Sequence, residues 1–410
     1  MGSTNYIAEK KTEKAEFAYN MYKYLMYLKE RFNPDELVFA VDSPNWRVDY
    51  FKEYYIVKSV IYKDKVNNKY IIEWDFKIHK FEYNEVQDIW LKNKLKNDEI
   101  FDLTMGDHYL VGKTKKWVRL ETATKVIEGK EIKLKKSQYL DHVLDSFYEG
   151  IEGFEKVTDL KEKEEILYNT LAKHTPRYKN RPTEKNWVYE TPYKEFKEIS
   201  MNLAFRCANS FGAVTIKADK AEADDIIAAY VEGRAKTGKD CIIVSVDTDL
   251  QQLVLRNQFM RYYNPNFFGD ERSHYGGFVK LDQNKAKFEL YLKILSGDAS
   301  DTIPATYLKG KRKLMSEAEA EKILLEHSKP LEFIQKAVER DILIRNTNLV
   351  HLSKRPKEVY ANIINAIKNY KKPEETYGME VFGVSDVDMM TTRDIARQHR
   401  QYDLENGLVG

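Results

Sequence analysis

The sequence predicts an α/β protein: a parallel-sheet domain, a mostly helical C-terminal region and, over 56–177, a segment of mixed strand-like and helical texture. Three observations carry this. Two short apolar runs, Leu37-Val38-Phe39-Ala40-Val41 before Asp42 and Cys241-Ile242-Ile243-Val244-Ser245-Val246 before Asp247, read as buried strands. Helical periodicity alternates with such runs, as in parallel βα units. From about residue 281 the pattern is helical.

In chain order, Ala15, Phe17, Ala18, Met21, Tyr22, Leu25, Met26 and Leu28 recur at helical spacing, so 14–31 is expected to be a helix that Asn33-Pro34 ends. The strand before Asp42 follows, then an aromatic and basic stretch, Arg47 to Tyr55. Residues 56–177 are rich in Tyr, Lys and Asn, with alternating strand-like runs such as Tyr70–Phe76 and a more helical part over 137–172. Tyr193–Phe211 is an amphipathic helix, Ala213–Lys217 a strand, Glu222–Ala235 a helix, and a further helix starts at Asp249. Helices are expected over 283–296, 316–327, 331–340 and 357–369, with a loose polar tail over 385–410.

With 410 residues, two or three domains are expected. Hydrophobic residues at 42% provide enough apolar material for a core, which excludes a wholly disordered chain. A net charge of +2 means that any nucleic-acid contact comes from local patches. Two cysteines, Cys207 and Cys241, make no disulfide framework and point to a reducing compartment. There is no run of ~18 apolar residues and no signal peptide, so a soluble, cytoplasmic protein without membrane contact is expected.

Four acidic groupings stand out: Asp42 after a strand, Glu222-Ala223-Asp224-Asp225 opening a helix, Asp247-Thr248-Asp249 after the strongest strand, and Gly297-Asp298-Ala299-Ser300-Asp301 after a helix. Each has a plain role, as helix cap or turn former. Jointly they suggest a site, because parallel sheets bind ligands beyond the carboxyl ends of their strands. Eight converging carboxylates require cations. Oxygen donors without a His or Cys cluster select Mg²⁺ or Mn²⁺ rather than zinc. Two such ions about 4 Å apart suit phosphodiester hydrolysis. Paired-carboxylate glycosidase chemistry needs only two acids and no metal. There is no Gly-x-Ser-x-Gly, Walker-type or Gly-x-Gly-x-x-Gly motif, and the eight histidines are scattered.

Glu222–Asp225, Ser245–Leu253 and Gly297–Pro304 resemble, in order and in intervals of about 25 and 50 residues, the three acidic motifs of the 5′-nuclease superfamily. This is the flap endonuclease and 5′–3′ exonuclease family that includes bacteriophage RNase H. Val38–Asp42, the basic Tyr178-Lys179-Asn180-Arg181 and Ile344–Val350 resemble further family segments. The resemblance spans 37–55 and 178–350. It implies a PIN-like nuclease domain, a helix–three-turn–helix region that grips DNA, and two Mg²⁺ ions, with Mn²⁺ as substitute. It implies hydrolysis at 5′ ends or flaps of branched DNA and RNA–DNA hybrid, as in primer removal during replication. Carried over residue by residue, Asp42, Glu222, Asp224 and Asp247 would hold the first ion. Asp249, Asp298 and Asp301 would hold or support the second, and Asp225 lies in or just behind the ligand shell. Lys179 and Arg181 would meet the scissile phosphate, with Asp224 and Asp247 as catalytic carboxylates. Arg47, Tyr178, Lys309, Lys311, Arg312 and Lys313 are candidate DNA contacts, and a solvated basic loop is the plain alternative for 309–313. The family's Gly-x-Gly potassium turn is absent here. The family style implies a monomer, host cytoplasm for a phage-encoded chain, and replication partners such as a single-strand-binding protein.

Two departures matter. The family begins with a strand ending in a metal-binding Asp, and only about a dozen polar residues precede the first expected helix here. This leaves two alternatives to an active enzyme: a catalytically impaired protein that binds branched DNA, or one half of a split nuclease. In addition, about 120 residues separate Asn45–Tyr54 from Tyr178–Arg181, which run on in the family. The expected organisation is 1–55 with 178–265 as nuclease domain, 56–177 as insertion of unknown role, 266–384 as helical DNA-binding region and 385–410 as tail. The insertion reads equally as spacer or functional domain.

Overall fold

The structure is a computed structural model that describes residues 2–66, 69–75, 77–82, 108–111, 116–119, 123–127, 130–134, 148–180, 193–266, 276–309, 314–327, 330–371 and 386–409. Its helices are α1 (Gly2–Phe32), α2 (Trp46–Lys58), α3 (Leu160–Glu164, continued as a π-helical turn to Thr170), α4 (Tyr193–Ser210), α5 (Ala223–Ala235), α6 (Gln283–Ser296), α7 (Glu317–Glu326), α8 (Pro330–Ala337), α9 (Arg340–Val350), α10 (Lys357–Asn369) and α11 (Asp386–Glu405). The strands are β1 (Val38–Val41), β2 (Val60–Asp64), β3 (Lys69–Trp74), β4 (Lys77–Glu82), β5 (His108–Val111), β6 (Lys116–Arg119), β7 (Ala123–Ile127), β8 (Lys130–Leu134), β9 (Phe154–Lys156), β10 (Val214–Lys217), β11 (Cys241–Val244), β12 (Met260–Asn264) and β13 (Gly277–Val279).

The chain forms two compact units, and their boundaries cut across the expected domains. The first unit comprises 1–46, 181–294 and 347–410. In it β1 pairs parallel with β10, Val38 opposite Val214 and Val41 opposite Lys217. Parallel β11 and β12, with antiparallel β13, form a second small sheet. The stripe Ala18, Tyr22, Leu25 and Met26 of α1 packs with Ala208 and Phe211 at the end of α4, and Leu37 and Phe39 pack against that cluster. The adjacent residues Tyr27 and Leu28 form a cluster with Tyr263 and Ala396, flanked by Ile242, Val244 and Phe278. On α5, Ala228 and Val231 pack with Ile243, Leu253 and Tyr262. Both cysteines are free.

The C-terminal residues expected as a loose tail contain helix α11. Its Asp403 is fully buried and takes both Arg31 Nε (2.7 Å) and Nη2 (2.9 Å), while Tyr27 and His399 share a 2.7 Å hydrogen bond. The polar composition misled because those polar side chains pair inward. The helix starting at Asp249 is a 3-10 helix over Thr248–Leu255, and α9 adds a helix where only a short motif had been read.

The second unit comprises 47–180 and 295–346, so the inserted segment shares one compact body with part of the helical region. Its sheet is antiparallel, in the order β4-β3-β2-β9. Within the insertion β5 also pairs with β6, and β7 with β8. No described helix is long and apolar enough to cross a membrane.

Candidate active site

In the first unit, the loop after β1 meets the N-terminus of α5. Asp42 accepts the Ala223 N–H (2.8 Å), and Ser43 N–H donates to the Ala221 carbonyl (2.9 Å). Free amides at a helix start draw carboxylates, which explains why Glu222, Asp224 and Asp225 cluster there. Asp225 is fully buried; it accepts the Glu222 N–H (3.2 Å) in a capping box and the Trp46 indole N–H (3.0 Å). Its carboxylate therefore backs the Glu222 turn instead of opening outward. Asp42 is exposed and Asp224 half-buried.

Asp247 caps the 3-10 helix by accepting the Asp249 N–H (2.9 Å), and its own N–H donates to Ser245 Oγ (3.0 Å). Tyr262 donates its hydroxyl to the Asp247 carbonyl (2.8 Å). Burial, with the Asp247 and Asp249 charges adding, pushes the Tyr262 phenol up to about 12 against the opposing pull of Ser245. Asp249 carries an ammonium: Lys293 Nζ, from α6, lies 2.5 Å from its Oδ1. Neither Trp46 nor Lys293 had a sequence signal, since both face their partners across long chain separations.

Asp298 and Asp301 belong to the second unit, in a tightly tied loop. Asp298 and Ile303 exchange both backbone hydrogen bonds (3.0 and 2.8 Å). Gly297 has φ +81, and a Cβ there would lie 2.4 Å from the Ile303 carbonyl oxygen, so only glycine fits. Asp298 Oδ1 accepts the Ser300 N–H (2.9 Å) and hydroxyl (2.5 Å). Asp301 accepts the Tyr178 hydroxyl (3.1 Å), its carbonyl takes the Lys179 N–H (2.9 Å), and Lys179 Nζ stands 3.9 Å from its carboxylate.

Two expected DNA contacts are corrected. Arg47 is only 1% exposed, so its guanidinium is not displayed to a phosphate. Tyr178 is buried against Phe51 and holds Asp301. Lys309 is exposed, and Arg181, Lys311, Arg312 and Lys313 lie outside the described residues. Among the described residues no three His, Cys, Asp or Glu side chains form a ready-made metal cage. Each acidic motif is instead held by an amide, an indole, a hydroxyl or an ammonium. The donor set itself, all oxygen, fits a hard divalent ion.

Residues 171–284 match the family model "5′-3′ exonuclease, N-terminal resolvase-like domain". No curated protein matches. Among solved structures, a bacteriophage T5 protein co-crystallised with metal ions is 20% identical, with 55% of this chain and 80% of that chain covered and a TM-score of 0.31. The T5 5′-exonuclease with bound zinc is 19% identical, over 55% and 79%, with a TM-score of 0.30. The T5 flap endonuclease in a pseudo-enzyme–product complex with DNA and metal ions is 19% identical, over 55% and 78%, with a TM-score of 0.29. Likeness at that level does not define a shared fold.

Proposed function

We propose that this chain is a divalent-metal-dependent nuclease of the 5′-nuclease superfamily, a reading supported by the match of residues 171–284 to the 5′–3′ exonuclease family model. It hydrolyses phosphodiester bonds at 5′ ends or flaps of branched DNA and RNA–DNA hybrid, with primer removal in replication as its task. The observation that carries this is the approach of Asp42, just after β1, to the start of α5, where it accepts the Ala223 N–H beside Glu222 and Asp224.

Asp42, Glu222, Asp224, Asp247 and Asp249 would supply oxygen ligands in the first unit, with Asp225 holding the Glu222 turn. Asp298 and Asp301 supply them in the second. Two Mg²⁺ ions, or Mn²⁺, would bring Lewis-acid charge to the reacting phosphate. Lys179 keeps an ammonium beside Asp301, where it can pass to a phosphate oxygen. Lys309, with its neighbours at 311–313 and Arg181, would bind the nucleic-acid backbone. The chain would act as a monomer, alongside replication proteins such as a single-strand-binding protein.

One observation favours a second reading. Among the described residues β1 pairs with β10 alone, β11 with β12 alone, and α1 lies across both sheets. Among the described residues each parallel pair keeps an open edge, which suits one half of a split nuclease, or a protein that grips branched DNA and cuts it poorly.

The test is cleavage of a 5′-labelled flap duplex with Mg²⁺, with Mn²⁺ and with EDTA, beside Asp247→Asn. Metal-dependent cutting that the variant loses, with flap binding retained, supports the nuclease. Flap binding without any cutting rejects it in favour of the second reading.

A further inference from the structure

Arg345 is 0% exposed, and each of its three guanidinium nitrogens donates a hydrogen bond. Nη1 donates to Asp75 (2.7 Å) and to the Tyr55 hydroxyl (3.2 Å). Nε donates to Asn346 Oδ1 (3.0 Å), and Nη2 reaches the Pro304 carbonyl (3.4 Å). The same Pro304 carbonyl accepts Asn346 Nδ2 (2.8 Å). Arg345 thus fixes which end of the Asn346 amide faces Pro304, and both residues clamp the last residue of the acidic Gly297–Pro304 loop. The Tyr55 hydroxyl also donates to Asp75, and the Tyr54 ring lies 4.8 Å from the guanidinium carbon.

Asp75 is the carboxylate that makes this burial tolerable. It comes from the inserted segment, at the turn where β3 runs into β4 with Trp74 opposite Lys77. Asp75, just past the end of β3, adopts φ 46, in the left-handed region that tight primed turns use. Lys179 (φ 52) and Thr302 (φ 58) are likewise left-handed, so three of the five such non-glycine residues among those described belong to this loop and its supports. Strain of that kind persists where surrounding contacts over-determine it, often at functional sites.

We propose that Asp75 is a positioning residue for the Asp298–Asp301 loop, acting through Arg345 and the Pro304 carbonyl, so that the insertion serves the acidic site it interrupts. This rests on the reading of Asp298 and Asp301 as nuclease ligands. The strut itself can be tested without activity.

The experiment measures amide hydrogen exchange over 297–304 in the full chain and in Asp75→Asn, with β3 as control, followed by flap cleavage across a Mg²⁺ titration. The expected result is at least tenfold faster exchange in the loop with β3 unchanged, and a half-saturating Mg²⁺ concentration raised about fivefold. Asp75→Leu/Arg345→Met, which removes the charge pair together, keeps the test open where the single variant fails to fold. It should release the loop in the same way. Unchanged loop exchange in a folded variant overturns the strut, and so does exchange that rises equally in β3. A wild-type chain that does not cut overturns the nuclease reading, while faster loop exchange in the variants would still support the strut.

Discussion

Lys293 and His351 show how single side chains set the chemistry of the first unit. Lys293 occupies Asp249 as a counter-ion in a part-exposed pair, with side chains 36% and 29% exposed. Such pairs contribute at most about 1 kcal/mol, a factor of about five. Lys293→Met should therefore lower the Mn²⁺ concentration for half-maximal binding about fivefold, read by calorimetric titration. An unchanged midpoint would mean that Asp249 does not bind the ion. His351 is a different case. Burial first, then the Arg256 and Lys354 charges, lower its imidazole to about 4. Its Nδ1 accepts the Ser353 N–H (3.2 Å), which the protonated ring could not do at that nitrogen. The ring is thus neutral in the fold. Well above pH 6.5, the group's ordinary value, folded and unfolded chains both hold the ring neutral and stability is unaffected. As pH falls from 6.5 towards 4 only the unfolded chain takes up the proton, so stability is lost. The loss is on the order of 1–2 kcal/mol after solvent screening. Urea midpoints at pH 7.5 and 5 should fall further for wild type than for His351→Gln.

At the scale of elements, the parts that sequence made legible are those whose side chains follow a period. The strands before Asp42 and Asp247, and the helices starting at Glu222 and Gln283, could be read because apolar spacing alone fixes them. Helix α11 was not legible, because it is held by polar pairing. Buried Asp403 meets Arg31, whose Nη1 also reaches Tyr263 (2.9 Å) and the Tyr27 hydroxyl (2.5 Å). Such a cluster leaves no trace in hydropathy. It does have an energetic signature. Asp403→Ala should cost about 3–5 kcal/mol, because it strands a buried guanidinium. Arg31→Met/Asp403→Leu should recover most of that. Urea denaturation of the single and double variants checks both, and equal losses in the two would mean that shape rather than charge holds α11. The acidic loop was legible for a related reason. Gly297 had to be glycine, and Gly297→Ala should cost about 2–3 kcal/mol through its positive φ and its clash with Ile303.

At the scale of the whole molecule, the acidic motifs were readable one at a time, but their supports were not. Arg47 and Tyr178 looked like contacts for DNA because a basic aromatic stretch usually faces solvent; both are buried. Asp75 looked like the end of an alternating strand, and nothing in its neighbourhood pointed some 270 residues ahead to Arg345. Long-range polar pairing has no local period, so the insertion read equally as a removable spacer. The unit boundaries argue otherwise, since 47–180 and 295–346 form one body. Within it β2 pairs with both β3 and β9, and Val157 N–H bonds the Ile61 carbonyl (2.9 Å). Excising 60–156 and joining Ser59 to Val157 would delete that sheet and Asp75, the carboxylate paired with Arg345 among the described residues. An uncompensated buried guanidinium alone costs about 3–5 kcal/mol, a large share of the roughly 5–15 kcal/mol that stabilises a domain. The excised chain should therefore lose exchange protection over 160–180 and 295–346, while the first unit, with its Tyr27, Leu28 and Tyr263 core, stays protected. A spacer would predict the reverse, with 295–346 as protected as before, and hydrogen exchange of the purified excision variant decides between them.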